Sequence, residues 1–169
     1  MADNKVATKR LVVRKGDIFC VKIYGLFKRY IQYVARDESQ LHSMVVRVFK
    51  KKYLIWKKVD MDEVASGEVW FYAHVYGLRN GVLEGKCSKC GKSKILGNIK
   101  DIMFRLYSEG NIQHLTVSHR WYVWKINHEF IDIGDLVPPY DKYDWGAIYP
   151  IAWVIEKIKT GKYPFKELK

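Results

Sequence analysis

The sequence lacks a long apolar segment and contains only three cysteines and four prolines. No stretch approaches the roughly 20 apolar residues of a membrane-spanning helix, so we expect no membrane partner. Three cysteines are an odd number, and two of them lie three positions apart, which does not fit the disulfide framework of a small secreted protein. The polar, basic start of the chain is not followed by the apolar segment of a secretory signal. We therefore predict a cytoplasmic protein.

The sequence also lacks the short motifs of common catalytic sites. It has no glycine-rich phosphate loop, no Gly-x-Ser-x-Gly elbow, no kinase signature and no His-Glu-x-x-His motif. Its five histidines are scattered, and a general base needs a partner and a nucleophile that sequence spacing does not supply. Asp135, Asp141 and Asp144 flank two prolines and are interpreted as parts of a solvated loop. We predict no enzyme, no catalytic residue and no cofactor.

One pair of cysteines has the spacing of a zinc knuckle. Cys87 and Cys90 are separated by two residues and followed by glycine. Two thiolates at this spacing can bind one side of a tetrahedral Zn²⁺ site. A full site needs two more ligands, and the best complement, His114 and His119, does not match the spacing of a compact zinc finger. A redox pair is a second interpretation, but the strand-to-helix junction it needs is not indicated. A glycine-rich loop with two neighbouring cysteines is favoured, and we predict no metal site.

The first third of the chain contains runs in which apolar and polar residues alternate. Residues 18–24, 29–36 and 44–53 have the period of two that is typical of half-buried strands. A short turn at residues 24–27 suits a hairpin, and the polar residues 37–43 form a longer connection. The pattern predicts a three-stranded antiparallel meander.

The elements beyond this meander are mixed. Residues 60–66 predict one helical turn, and residues 69–75 and 121–126 are β-branched and aromatic, as strands are. Residues 99–107 place apolar side chains at helical spacing, with a strand as the alternative. Residues 77–97 hold five of the twelve glycines and predict loops and turns around a short element.

The last predicted element is an amphipathic helix. Pro150 suits its first position, and Gly161 supplies its end. Its apolar face consists of Ile151, Val154, Ile155 and Ile158. The sequence therefore predicts a β-rich α+β fold: a curved antiparallel sheet built on the N-terminal meander, with the C-terminal helix packed on it. Since there is no repeat and no Pro- or Ser-rich linker, we expect a flexible basic N-terminus at residues 1–10 and a single domain at residues 11–169.

Positive charge is concentrated near the N-terminus. Residues 1–58 carry fifteen lysines and arginines against four acidic residues, a net charge of +11, whereas the whole chain carries +12. Such an asymmetry predicts a partner with an acidic surface. The candidate partner-binding residues are Arg36, Arg47, Lys50, Lys51, Lys52, Tyr53 and Lys57.

Three interpretations of this basic segment stay open. Arginines and aromatic side chains are common anchors in protein interfaces, which favours an acidic protein partner. Cations beside rings such as Tyr30, Tyr33 and Trp56 also suit nucleic acid, because bases stack on rings. The third interpretation is a solvated lysine-rich edge strand that resists edge-to-edge pairing.

Six segments carry a family resemblance through their order and spacing: residues 15–22, 30–37, 45–53, 67–74, 121–126 and 159–163. Together they resemble the immunity protein 26 family of bacterial polymorphic toxin systems. The resemblance implies a β-rich cytoplasmic protein that binds and neutralises a cognate toxin domain, and it transfers no catalytic residue. The alternative from another class is a small basic nucleic-acid-binding module.

The sign of the charge constrains the toxin that the resemblance implies. An inhibitor of a basic nuclease is expected to be acidic, so that opposite fields attract. This chain is basic where the resemblance lies. We therefore expect the cognate toxin to present an acidic face, or not to be a nuclease.

Overall fold

The structure is a computed structural model that describes residues 11–109 and 116–165. The predicted flexible segment, residues 1–10, lies outside the described residues. The strands are β1 (Asp17–Ile23), β2 (Phe27–Asp37), β3 (Ser43–Phe49), β4 (Tyr53–Leu54), β5 (Val69–Tyr76), β6 (Ser88–Lys92), β7 (Met103–Tyr107), β8 (Trp121–Lys125), β9 (Ile131–Gly134), β10 (Asp144–Trp145) and β11 (Ile148–Pro150). The helices are α1 (Met61–Ala65), α2 (Leu78–Leu83) and α3 (Ile151–Thr160).

The first sheet contains the predicted meander. Its strand order is β11-β5-β3-β2-β1-β6, and β1, β2 and β3 are antiparallel neighbours. The third strand is shorter than predicted, because it ends at Phe49, where the backbone N–H of Lys50 bonds to Glu68 O at 2.9 Å. After three lysines the chain returns as β4, which pairs with the first residues of β2.

A second sheet was not anticipated as a separate layer. It has four strands in the order β10-β7-β8-β9. The helical interpretation of residues 99–107 is wrong for most of that segment, because only Ile99–Asp101 forms a helical turn and β7 follows. Each residue of β7 pairs with one of β8, and this pairing outweighs a helical apolar spacing over so short a run.

Two helices form where the sequence places them. Asp60 caps α1, since its carboxylate accepts hydrogen bonds from the backbone of Asp62 and Glu63 at 2.9 and 3.1 Å. The predicted apolar face of α3 is buried, and Gly161 ends the helix at a φ of +90°. The α+β, sheet-rich fold with a C-terminal helix on the sheet is confirmed.

The first sheet is covered on both faces. Alternation along β1 sends Phe19 into the core shared with α3, and Ile18 into the core shared with α1. Along β5, His74 points away from α3 and contacts Phe104 of the second sheet, with ring centroids 4.1 Å apart. The helix α3 therefore covers one face of the first sheet, α1 and the second sheet cover the other face, and β8 and β10 also contribute to the core shared with α3.

The glycine-rich segment, predicted as loops around a short element, contains two regular elements. Residues 78–83 form α2, and residues 88–92 form β6, which pairs with β1 and is the last strand of the first sheet. Gly91 lies close to Met61, because a Cβ on it would come within 2.7 Å of Met61 Cγ.

Candidate docking surface

The predicted partner-binding residues fall into three different places. Four lysines, Lys50, Lys51, Lys52 and Lys57, are exposed around the end of the first sheet where β1, β2 and β4 meet. Arg36 is exposed near the far end of β2, about 26 Å along the strand from Lys28. Arg47 and Tyr53 are inside the protein.

Four large apolar side chains are exposed at the end that carries the lysines. Tyr24 is 78% exposed and Trp56 is 67% exposed, and Leu26 and Leu54 are 46% and 38% exposed. Leu54 pairs with Phe27 of β2, and the N–H of Ile55 bonds to Leu26 O at 3.0 Å. We call Tyr24, Leu26, Leu54 and Trp56 the hairpin tip.

The turn that presents Tyr24 has an unusual backbone. Tyr24 and Gly25 both have positive φ, +47° and +74°, and the N–H of Leu26 bonds to Ile23 O at 3.3 Å. Both residues lie in the three-residue loop of the hairpin, whose last pair is Ile23 with Phe27. Positive φ is unfavourable for an aromatic residue, and an exposed ring gains little burial energy in return. This makes Tyr24 a candidate for contact with a partner.

Lys28 fixes the other part of the tip. Its Nζ donates to Ile55 O at 3.1 Å and to Lys57 O at 2.7 Å, so it holds the segment with Trp56 against β2. Lys51 and Lys57 lie over the Tyr53 ring, with Nζ 4.8 and 5.9 Å from its centroid. These three lysines therefore have defined positions beside the segment that carries Leu54 and Trp56.

Two of these lysines have acidic partners on the surface. Lys50 Nζ lies 2.7 Å from Glu68 and Lys51 Nζ lies 3.3 Å from Glu63. The hydrogen bond to Glu63 raises the pKa of Lys51. Within the described part of the chain, Lys52, Lys57 and Lys58 have no ion pair with an acid. Their charge is available to an approaching partner.

The prediction that Arg47 contacts a partner at the surface is wrong. Arg47 is only 3% exposed, and its guanidinium donates to Gln32 Oε1 at 2.9 and 2.7 Å, to Ala65 O at 2.7 Å and to Ile95 O at 2.8 Å. Gln32 Nε2 in turn donates to Gly16 O and Ser93 O, both at 3.3 Å. We call Arg47 and Gln32 the buried polar centre. It joins β2 and β3 to α1 and to the loop after β6.

Tyr53 also belongs to the interior. It is 5% exposed and packs edge-on against Tyr30, with ring centroids 5.5 Å apart. Arg36 stays on the surface but is occupied locally, since it bonds to His42 O at 2.6 Å and lies 3.3 Å from Glu38. The candidate partner-binding residues predicted from the sequence did not include Tyr24, Leu26 and Leu54. The dipeptide Tyr24-Gly25 between two alternating runs was the available signal, because the tip of a hairpin is exposed.

The cysteines show no assembled metal site. Cys87 is buried, whereas Cys90 is exposed on β6 and its Sγ lies 3.4 Å from Ile18 O. Burial raises the pKa of the Cys87 thiol to about 11, so it is protonated at neutral pH. Among residues 11–109 and 116–165, no three His, Cys, Asp or Glu side chains lie close enough to hold a metal ion. His114 lies outside the described residues.

A serine, a histidine and an aspartate lie together in the interior. Ser43 Oγ is 2.8 Å from His74 Nδ1, and His74 Nε2 is 3.9 Å from Asp37 Oδ2. All three are buried, and the Phe104 and Trp124 rings lie beside His74, so a substrate has no access. Burial lowers the pKa of His74 to about 4, against the opposing charge of Asp37. The group links the two sheets as a packing element.

Asp37 is held ionised by its neighbours. Burial acts to raise its pKa, but hydrogen bonds from the backbone of Gln40, from the Trp124 indole and from the backbone of Ser39, together with His74, lower the pKa overall. The prediction of a solvated loop holds for Asp135 and Asp141, which are exposed, but it is wrong for Asp144, which is half-buried at the start of β10. Asp135 lies 2.5 Å from His119 Nδ1, and Asp144 accepts from the backbone of Tyr72 at 2.8 Å.

Comparisons with known proteins give no relative. No family model matches the chain, and neither the curated proteins nor the solved structures contain a significant match. The resemblance to the immunity protein 26 family therefore stays a prediction. None of the helices in the described ranges is long and apolar enough to cross a membrane.

Proposed function

We propose that this chain is an immunity protein that binds a cognate bacterial toxin domain in the cytoplasm and neutralises it by direct contact. The observation that carries the proposal is the hairpin tip, where Tyr24 and Trp56 are exposed at the end of the sheet that also carries exposed lysines. A soluble protein rarely exposes several large apolar side chains together unless they meet a partner. The family resemblance gives the class of partner, and the tip gives a surface for it.

The tip has the composition of an interface with an anchored centre. Tryptophan and tyrosine are the most frequent energetic anchors of protein interfaces, and a charged rim steers association. The matching surface is an apolar pocket that accepts Trp56, bordered by carboxylates that face Lys52, Lys57 and Lys58. Such a toxin domain has an acidic face around its docking site, which agrees with the expectation from net charge.

The direct test is protection by the chain against the toxin domain encoded beside its gene. Co-expression should restore growth, and calorimetry with an inactive toxin domain should detect a complex. Trp56→Ala should weaken the complex about 30-fold, corresponding to about 2 kcal/mol, because an anchor loses its pocket. Leu83→Ala is the matched control, since Leu83 is also exposed but lies on α2.

Charge reversal at the rim separates steering from anchoring. The double variant Lys57→Glu, Lys58→Glu should slow association about tenfold at low salt and change dissociation little. No growth protection, or equal losses in Leu83→Ala and Trp56→Ala, would contradict the proposal.

Nucleic acid is the competing partner, because exposed rings beside lysines also bind bases. One of the rings of that interpretation, Tyr30, is buried and cannot stack on a base. Titration with a single-stranded oligonucleotide at low and moderate salt distinguishes the two. Oligonucleotide binding that is lost in Trp56→Ala and weakens steeply as salt rises would favour the nucleic-acid module.

A further inference from the structure

The outer edge of β6 is a second feature that the proposed docking surface does not use. β6 is the terminal strand of the first sheet, and it pairs with β1 on one side only among the described residues. An edge strand directs alternate backbone N–H and C=O groups outward, where another strand can pair with them. Three open grooves lie along this strand and its two ends.

The grooves are strongly basic. Their lining includes the cations Arg14, Lys15, Lys22, Lys86, Lys89, Lys92 and Lys94. The two acids in the lining are already engaged. Asp17 accepts from Lys89 Nζ at 2.6 Å and from the backbone of Arg14 at 2.7 Å, and Asp62 accepts from Ser93 Oγ at 2.5 Å. The surface beside β6 therefore presents net positive charge.

The wall of the groove is fixed by hydrogen bonds. Lys89 Nζ donates to Val12 O at 3.1 Å, and Arg79 Nε donates to Leu11 O at 3.2 Å, so residues 11–14 are held beside the strand. Gly91 allows Met61 to pack against β6 from the other side. The strand is thus supported from behind while Lys92 and Cys90 remain exposed.

We propose that β6 is a strand-addition site for an extended acidic segment of a partner protein. Main-chain hydrogen bonds along β6 provide the pairing, and the lysines select glutamate and aspartate side chains on the incoming strand. Charge complementarity decides against a second copy of this chain, because pairing of two β6 strands brings their lysines together. The proposal does not depend on the hairpin tip.

The experiment uses the full chain and a capped peptide of about seven residues in which glutamate alternates with valine, a length that covers a typical strand. Fluorescence anisotropy measures affinity, and amide hydrogen exchange measures protection of residues 88–92. We expect binding with protection of these amides. A peptide of the same sequence, N-methylated at alternate residues, should not bind, because it cannot complete the ladder.

Matched charge reversals locate the site. Lys92→Glu with Lys94→Glu should weaken peptide binding about tenfold, whereas Lys57→Glu with Lys58→Glu beside the hairpin tip should change it less than about twofold. The same tip variant tests the proposed function, so failure of one proposal is distinguishable from failure of the other.

Four outcomes would overturn the strand-addition site. The first is absence of peptide binding. The second is binding without protection of residues 88–92, or equal binding of the N-methylated peptide. Either result would mean that the basic surface attracts any polyanion without strand pairing. The third is an equal loss in both charge-reversal variants. The fourth is sedimentation as a dimer whose residues 88–92 are already protected, which means that a second copy occupies the edge.

Discussion

The hairpin tip and the buried polar centre use the same basic stretch of sequence in opposite ways. At the tip, Lys52 and Lys57 extend into solvent beside exposed rings. In the buried polar centre, Arg47 lies under the sheet surface and donates to three acceptors on β2, α1 and the loop after β6. Burial lowers the pKa of Arg47, whereas the pKa of Lys51 at the surface is raised by its bond to Glu63.

The difference shows that net charge in a sequence overstates the surface available to a partner. A guanidinium has five donors in a rigid fork, so it can satisfy several buried carbonyls at once. An ammonium on a flexible stem is better kept in water. The arginine is therefore part of the interior, and the lysines remain exposed to solvent.

The largest expected effect comes from removing the interior cation. Arg47→Ala leaves Gln32 Oε1 and two backbone carbonyls without their donor, and it should lower the free energy of unfolding by about 3 to 5 kcal/mol. Urea unfolding checks this value. Arg36→Ala is the matched control and should stay within about 0.5 kcal/mol, because Arg36 is exposed. Equal losses of unfolding free energy in both variants would contradict the assignment of Arg47 to the interior and Arg36 to the surface.

The second expected effect is a loss of stability on mild acidification. The pKa of His74 is about 4 in the folded protein and 6.5 in the reference state, so the unfolded chain binds the proton more tightly. His74 therefore contributes stability above pH 6.5 that is lost as pH falls toward 4, in total about 3 kcal/mol. Asp37, whose pKa is lowered below 3.8, extends the loss to lower pH.

Unfolding in urea at several pH values between 7 and 4 measures that loss. His74→Gln should flatten the pH dependence in this window, whatever its own stability at pH 7. His42→Asn removes an exposed histidine at a position of positive φ that asparagine tolerates, and it should leave the slope unchanged. A slope that survives His74→Gln would assign the acid sensitivity to other groups.

A smaller effect tests how tightly Arg47 is enclosed. Gly97 has a φ of +72°, and a Cβ there would lie 2.6 Å from Arg47 Nη1. Gly97→Ala should cost about 2 to 3 kcal/mol, of which strain at positive φ accounts for about 1 kcal/mol. Gly85→Ala is the matched control, since Gly85 has a φ of +71° and open space around it. If both variants lose the same free energy of unfolding, the close approach of Gly97 to Arg47 does not contribute to the loss.

The smallest expected effect belongs to the surface ion pairs. Lys50→Ala removes the pair with Glu68 at 2.7 Å, but both side chains are more than half exposed, so the loss should be below about 1 kcal/mol. Thermal unfolding at low and high salt measures it, and the difference from the parent chain should shrink as salt screens the pair. A loss as large as that of Arg47→Ala would show that this surface charge is structural.

Much of the first sheet could be predicted, because period-two alternation over residues 18–36 and 44–49 is a local property. The helix after Pro150 could be predicted for the same reason. The short strands β9, β10 and β11 could not, because two to four residues carry no usable period and their pairing partners lie far along the chain. For residues 99–107 the sequence left helix and strand as alternatives for the same lack of length, and the pairing of β7 with β8 decides for the strand.

The sequence alone is enough to predict the α+β class, the meander, the C-terminal helix and the excess of positive charge in the first third. These follow from local periodicity and from simple counting. Which of these charges are exposed and which are buried depends on the tertiary structure. Pairing of β2 with β3 brings Arg47 beside Gln32, and packing of α1 and the loop after β6 closes over both. Burial is set by these long-range contacts, so the sequence could place Arg47 and Lys57 in one basic segment but could not separate interior from surface.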